Sequence, residues 1–196
     1  MKLACDDILS YRCPRWADMP AVDLYIDQVV LFLQDSLSVF IKDEKTPIIT
    51  ATMVNNYVKL KVLPPPSKKK YSKEHIASLF VICILKRFLS ISEIGLAITG
   101  MQRKFSTCEG YDLFCDEFEA ALRRAFVPGT EKLSLYNSND QYEVAALRAM
   151  AAAYADIVLS ERIMEAGRAS VIKALSKEKK QKKTQQQSAK EEKKEK

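Results

Sequence analysis

The stretch TATMVNNYVK, residues 50–59, decides how this chain is read. Thr50 is a good N-cap, because its hydroxyl oxygen can accept a hydrogen bond from an otherwise unpaired N–H of the first turn. A short helix over about 51–61 follows and must end before Pro64-Pro65-Pro66, which cannot continue it. Ala51, Val54 and Val58 fall on one side of that helix, and Asn55 and Lys59 on another. The two adjacent asparagines need explaining. Asn is a middling helix former whose side chain competes with the backbone for hydrogen bonds. Either the amides face outward, where Asn pairs bidentately with the adenine edge in the major groove of DNA, or they satisfy a neighbouring loop such as the Trp16 segment.

Charge points the same way as the outward reading. The formal net charge is +6 over 196 residues, but it is distributed unevenly. Residues 50–90 carry eight basic groups against Glu74 alone. Residues 1–49 and 91–172 are net acidic, and residues 173–196 hold ten lysines and four glutamates. A basic island inside a neutral body is the electrostatic footprint of a polyanion-binding face. Taken alone, the lysine run 68–70 reads first as a solvated turn.

Working outward, the fold class expected is all-α. Ile26, Val29, Val30, Leu33, Leu37 and Phe40 give a long amphipathic helix over about 21–41. PPPSKKKY (64–71) reads as a loop or short ribbon. Ser72 caps a helix over about 73–89, and Ser90-Ile91-Ser92-Glu93 fits a capping box opening another at about 91–99. Helices are expected over 111–126 and, after a capping-box-like Ser138–Gln141, over about 140–175. From 177 the Lys/Glu/Gln-rich chain holds no apolar residue but Ala189 and is expected to be disordered.

Several functions are excluded or disfavoured. The five glycines form neither a dinucleotide fingerprint nor a phosphate loop. Apolar runs such as VVLFL and FVICIL are too short to span a bilayer, no signal-peptide core opens the chain, and a cytoplasmic location is the expectation. Five cysteines without a CxxC, and one histidine, argue against a disulfide framework or a zinc site. Asp23 and Asp27 form a carboxylate pair with no partner placed beside them, so no metal, cofactor or enzymatic activity is expected.

The order of capped short helix, Pro/Lys-rich turn with a tyrosine, longer helix and Ser-capped helix resembles the MerR-type winged helix-turn-helix. Thr50 falls on that family's cap, Tyr57 on its second paired tyrosine, Lys59 on the next basic position, and Val62-Leu63-Pro64 on the exit. Lys69 and Tyr71 fall on its wing. The family's arginine, first tyrosine and exit glycine are replaced by Asn55, Asn56 and Lys61. A closer resemblance, over residues 14–100, is to the uncharacterised bacterial YkrK-like family, a domain of unknown function. Trp16, Pro20, Asp23-Leu24-Tyr25, Asp27-Gln28-Val29, Met53–Lys59 and Lys69-Lys70-Tyr71 carry it.

These resemblances imply a helix-turn-helix domain (14–100), a helical C-terminal region (101–176) and the basic tail (177–196). The expected function is a sequence-specific transcriptional regulator binding double-stranded DNA. Thr50, Thr52, Asn55, Asn56 and Lys59 would face the groove, while Lys61, Lys68, Lys69, Lys70 and Lys73 hold phosphates. The apolar positions 144, 147, 151, 154 and 158 suit either a homodimer through C-terminal helices or packing within one chain. The alternative function is a non-enzymatic protein-interaction module on the same scaffold.

Overall fold

The structure, a computed structural model, describes residues 5–41, 46–130 and 141–191. It is mostly helical, in the order α1 (Asp6–Ser10), β1 (Leu24–Tyr25), α2 (Ile26–Ser36), α3 (Ala51–Lys59), β2 (Lys70–Tyr71), α4 (Lys73–Leu85), α5 (Ile91–Gln102), α6 (Thr107–Phe126) and α7 (Tyr142–Glu191). Short 3-10 turns occur at Trp16–Asp18 and Ser38–Phe40. The described residues divide into two compact units, one spanning Cys5–Val158 and the other running from Leu159 to Glu191.

Within Cys5–Val158, α4 is the central element. Ile76, Ala77, Leu79, Phe80, Ile82, Cys83, Ile84 and Leu85 are all buried, so the helix is apolar around its circumference and packs on α2, α5 and α6. A second focus is aromatic. Phe40 lies edge-on to Tyr11, Phe118 and Tyr154, with centroids 4.8–5.7 Å apart, a geometry that suits the ring quadrupoles. Leu147, Ala151, Tyr154 and Val158 of α7 are buried in this unit, which assigns them to its own core.

Capping set the starts of α3 and α5 as the sequence suggested, and also that of α6, where no cap was expected. The Thr50 hydroxyl oxygen accepts from the Met53 N–H at 3.2 Å. Ser90 with Glu93, and Ser106 with Glu109, form reciprocal capping boxes. Serine donors hold both glutamates below the usual carboxylate range. The expected capping box at Ser138–Gln141 falls mainly on 131–140, outside the described residues.

Three elements differ from expectation. The helix expected over 111–126 starts four residues earlier, at Thr107, behind its Ser106 cap. The helix predicted over 21–41 starts only at Ile26, because Leu24 and Tyr25 are extended and pair antiparallel with Tyr71 and Lys70. Gln28 Oε1 then accepts the Tyr25 N–H at 2.9 Å, fixing the late start. The tail expected to be disordered from 177 is helical as far as Glu191. Its Lys, Gln, Glu and Ala are good helix formers. In Leu159–Glu191 the apolar Met164, Val171, Ile172 and Leu175 are exposed.

Candidate nucleic-acid interface

Helix α3 buries Val54 and Tyr57 and exposes Thr52, Asn55, Asn56 and Lys59. These four stand at i, i+3, i+4 and i+7, a single stripe opposite the core face. The twin asparagines therefore point outward. The Trp16 segment, which could have taken them, is engaged elsewhere: the Trp16 N–H donates to Asp112 Oδ1 at 2.8 Å. Thr50 does not join the stripe, since it is half-buried and its oxygen is occupied by the cap.

The helix ends in a Schellman motif. The Lys61 N–H donates to the Val58 carbonyl at 3.0 Å, and the Val62 N–H to the Tyr57 carbonyl at 3.1 Å. This motif requires a left-handed residue, normally glycine, and Lys61 takes it at φ 58°. Beyond the prolines, Ser67–Lys70 form a tight turn closed by the Lys70 N–H on the Ser67 carbonyl at 2.8 Å. Both central residues have positive φ, Lys68 at 47° and Lys69 at 65°. That is the type I′ signature, for which Asn-Gly is the favoured pair. Among the described residues, the non-glycine positions with positive φ are these three lysines. A left-handed L-residue costs about 1–2 kcal/mol.

The other basic groups of the island are held internally. Lys70 lies over the Tyr25 ring at 5.1 Å across the strand pair. Lys73 donates to the Trp16 carbonyl at 2.9 Å and lies over its ring at 5.4 Å. The Lys86 ammonium donates to the Ile48 carbonyl, anchoring the segment before α3, and burial pushes its pKa down. Arg87 stacks on Tyr154 at 5.2 Å. Lys59, Lys61, Lys68 and Lys69 remain exposed. Tyr57 and Tyr71 pack in the core, their hydroxyl pKa values raised by burial.

Sequence reasoning missed Glu119. This buried carboxylate accepts the Cys13 N–H at 2.9 Å and faces Arg15 at 3.1 Å, Arg123 at 3.5 Å and Arg12 at 3.9 Å. Tyr111 adds a hydroxyl donor to the Pro14 carbonyl at 2.7 Å. The N-terminal segment is thus fastened to α6, and Trp16 on that segment in turn holds Lys73 at the start of α4. An i,i+4 Glu119–Arg123 pair on α6 was the one sequence signal, and it is common on exposed helix faces. Among the described residues no group of three or more His, Cys, Asp or Glu is placed to hold a metal, and no helix is long and apolar enough to cross a membrane.

Fold and site together define a mostly helical domain that presents an amide-bearing helix stripe and a strained lysine turn. The model of a domain of unknown function, DUF1836, matches residues 14–116. That is over half of the 196 residues, and the chain belongs to this family. No curated protein and no solved structure matches it.

Proposed function

We propose that the domain is a winged helix-turn-helix DNA reader of MerR-like type, with α3 as the recognition helix and Ser67–Lys70 as the tip of its wing. Asn55 and Asn56 take base edges in the major groove, with Thr52 and Lys59 on the same stripe. Lys61, Lys68 and Lys69 take phosphates, which set register and supply the salt-dependent part of the affinity. The observation that carries this reading is that, among the described residues, every non-glycine position with positive φ is a lysine. Glycine or asparagine would hold those turns at lower cost. Backbone strain of this kind concentrates at functional sites, and here each strained residue ends in an exposed positive charge.

The order β1–α2–α3–β2–α4 supports the same reading, since it joins two helices to a strand pair that braces the turn. The test is selection of bound sequences from random double-stranded DNA at physiological salt, with the Asn55→Ala/Asn56→Ala double variant as control. A consensus that the double variant loses supports the reading. Absence of any enriched sequence sinks it.

A second reading, a protein-interaction module on the same scaffold, draws on Leu60, which is 55% exposed at the exit of α3. Leu60→Asp separates the two: it would abolish capture of a protein partner and leave DNA selection largely intact.

A further inference from the structure

Helices α4, α5, α6 and the first turns of α7 enclose a cavity of about 70 Å³ that opens to the surface. Its walls are almost wholly apolar, with Val81 on α4, Ile98 and Met101 on α5, Phe114 on α6, and Leu147 and Met150 on α7. None of its lining residues is charged. Tyr111 presents its ring, because its hydroxyl is bonded to the Pro14 carbonyl. Gly110 leaves the floor open: a Cβ there would reach only ordinary contact with Met101 Cε at 3.8 Å and Phe105 Cβ at 3.7 Å. The two methionines give walls that adapt to an occupant, since the thioether chain is flexible and polarizable.

We infer that this cavity is a binding site for a small uncharged ligand carrying a single aromatic ring, and that its occupancy is relayed to α3 through α5. The chemistry of the lining sets the ligand class. A carboxylate or ammonium would lose its hydration with no countercharge in the wall, whereas an uncharged ring entering by the open mouth loses only contact with water. The relay rests on α5 being a single short helix with two working faces. Ala97, Ile98 and Met101 line the cavity, and Gly95, less than one turn earlier than Ile98, abuts the side chain of Val62, whose N–H closes the Schellman motif. A Cβ at Gly95 would stand 3.2 Å from Val62 Cγ2, so the interface has no slack to absorb a shift of α5. The relay rests on the DNA reading of α3; the ligand site does not.

The experiment uses the full chain with its six methionine methyls labelled with carbon-13, titrated with toluene and, separately, with benzoate as a charged ring of similar size. The expected result is saturable shifts of Met101 and Met150 with toluene, none at Met19 or Met53, and none anywhere with benzoate. Ala97→Phe, at the half-exposed mouth, should abolish the toluene shifts while the remaining methyl signals keep their dispersion. If that variant does not fold, Val81→Phe fills the same space from the α4 wall. No response up to the solubility limit of toluene, equal responses at all six methyls, or unchanged binding in a folded filled variant overturns the ligand site. For the relay, saturating toluene should change affinity for the selected DNA by about fivefold or more, the lower range of allosteric coupling. Gly95→Ala should alter DNA affinity without removing the toluene shifts. An unchanged DNA affinity in the presence of confirmed methyl shifts overturns the relay alone. Absence of DNA binding in every condition overturns the reading of α3 and the relay, and leaves the ligand site standing.

Discussion

Two regions of this molecule treat charge in opposite ways. Around Glu119 a buried carboxylate is matched by a backbone N–H and three guanidinium groups, and the backbone nearby is relaxed. Around Lys61, Lys68 and Lys69 the charges are exposed and the backbone takes the left-handed region that L-residues rarely adopt. The first arrangement stabilises the fold and leaves nothing over for a partner. The second destabilises the fold and keeps its positive charge outward. The comparison separates residues that hold the domain together from residues that the domain holds out.

Substitutions can break that contrast from either side. Glu119→Ala should give the largest effect, a loss of about 2–3 kcal/mol of stability, because it strands the Cys13 N–H and removes charge-assisted hydrogen bonds. The exposure of the arginines keeps the loss from being larger. Urea unfolding measures it, and DNA affinity of the still-folded fraction should be unchanged. Next comes Asn55→Ala, which should cost about 1–3 kcal/mol on the selected sequence and leave binding to unrelated DNA alone. A uniform loss on all sequences would remove Asn55 from base recognition.

The double variant Lys68→Asn/Lys69→Gly should move the two properties in opposite directions. Stability should rise by about 1–2 kcal/mol as the turn receives its favoured pair. DNA affinity should fall, and the slope of log affinity against log salt should shrink by about 2. A variant that gains stability and keeps its salt slope would reduce the turn to a structural feature.

The smallest effect expected is at the caps of α5 and α6. Glu93 and Glu109 are held low by Ser90 and Ser106. A carboxylate with a depressed folded pKa contributes stability that is present above its unfolded pKa and lost as pH falls through the folded one. Ser90→Ala should therefore flatten the acid side of the stability profile slightly and leave the neutral plateau lowered by a capping loss of about 1 kcal/mol. A profile parallel to the unsubstituted chain would show the cap carries no proton linkage.

Much of the fold was legible because local chemistry determined it. Thr50 and Ser90 begin their helices as capping residues should, and the apolar spacing of α4 and α6 located the core. Helical periodicity put Asn55 and Lys59 on a side away from Val54 and Val58, but left open whether the amides face outward or a neighbouring loop. What escaped was set by residues far along the chain. Leu24 and Tyr25 are extended because their partners stand at Lys70 and Tyr71. Glu119 is buried because residues 12–15 fold over it. The left-handed lysines escaped for a different reason: glycine and asparagine signal positive φ, whereas lysine carries no such signal. Positions 144–158 were open between a dimer seam and a core, and burial of Leu147, Ala151, Tyr154 and Val158 favours the core.

The cysteines lie on both sides of the contrast and make it measurable in time. Cys83 is fully buried on α4, its thiol pushed up to about 12 by that burial, and Cys13 and Cys115 are buried beside Glu119. Cys5 and Cys108 are half-exposed. With iodoacetamide, the half-exposed pair should react from the native state, and the buried three only when their surroundings open. Mass spectrometry over such a time course would clock the opening of the α4 core and of the Glu119 lock separately, in one unmodified chain.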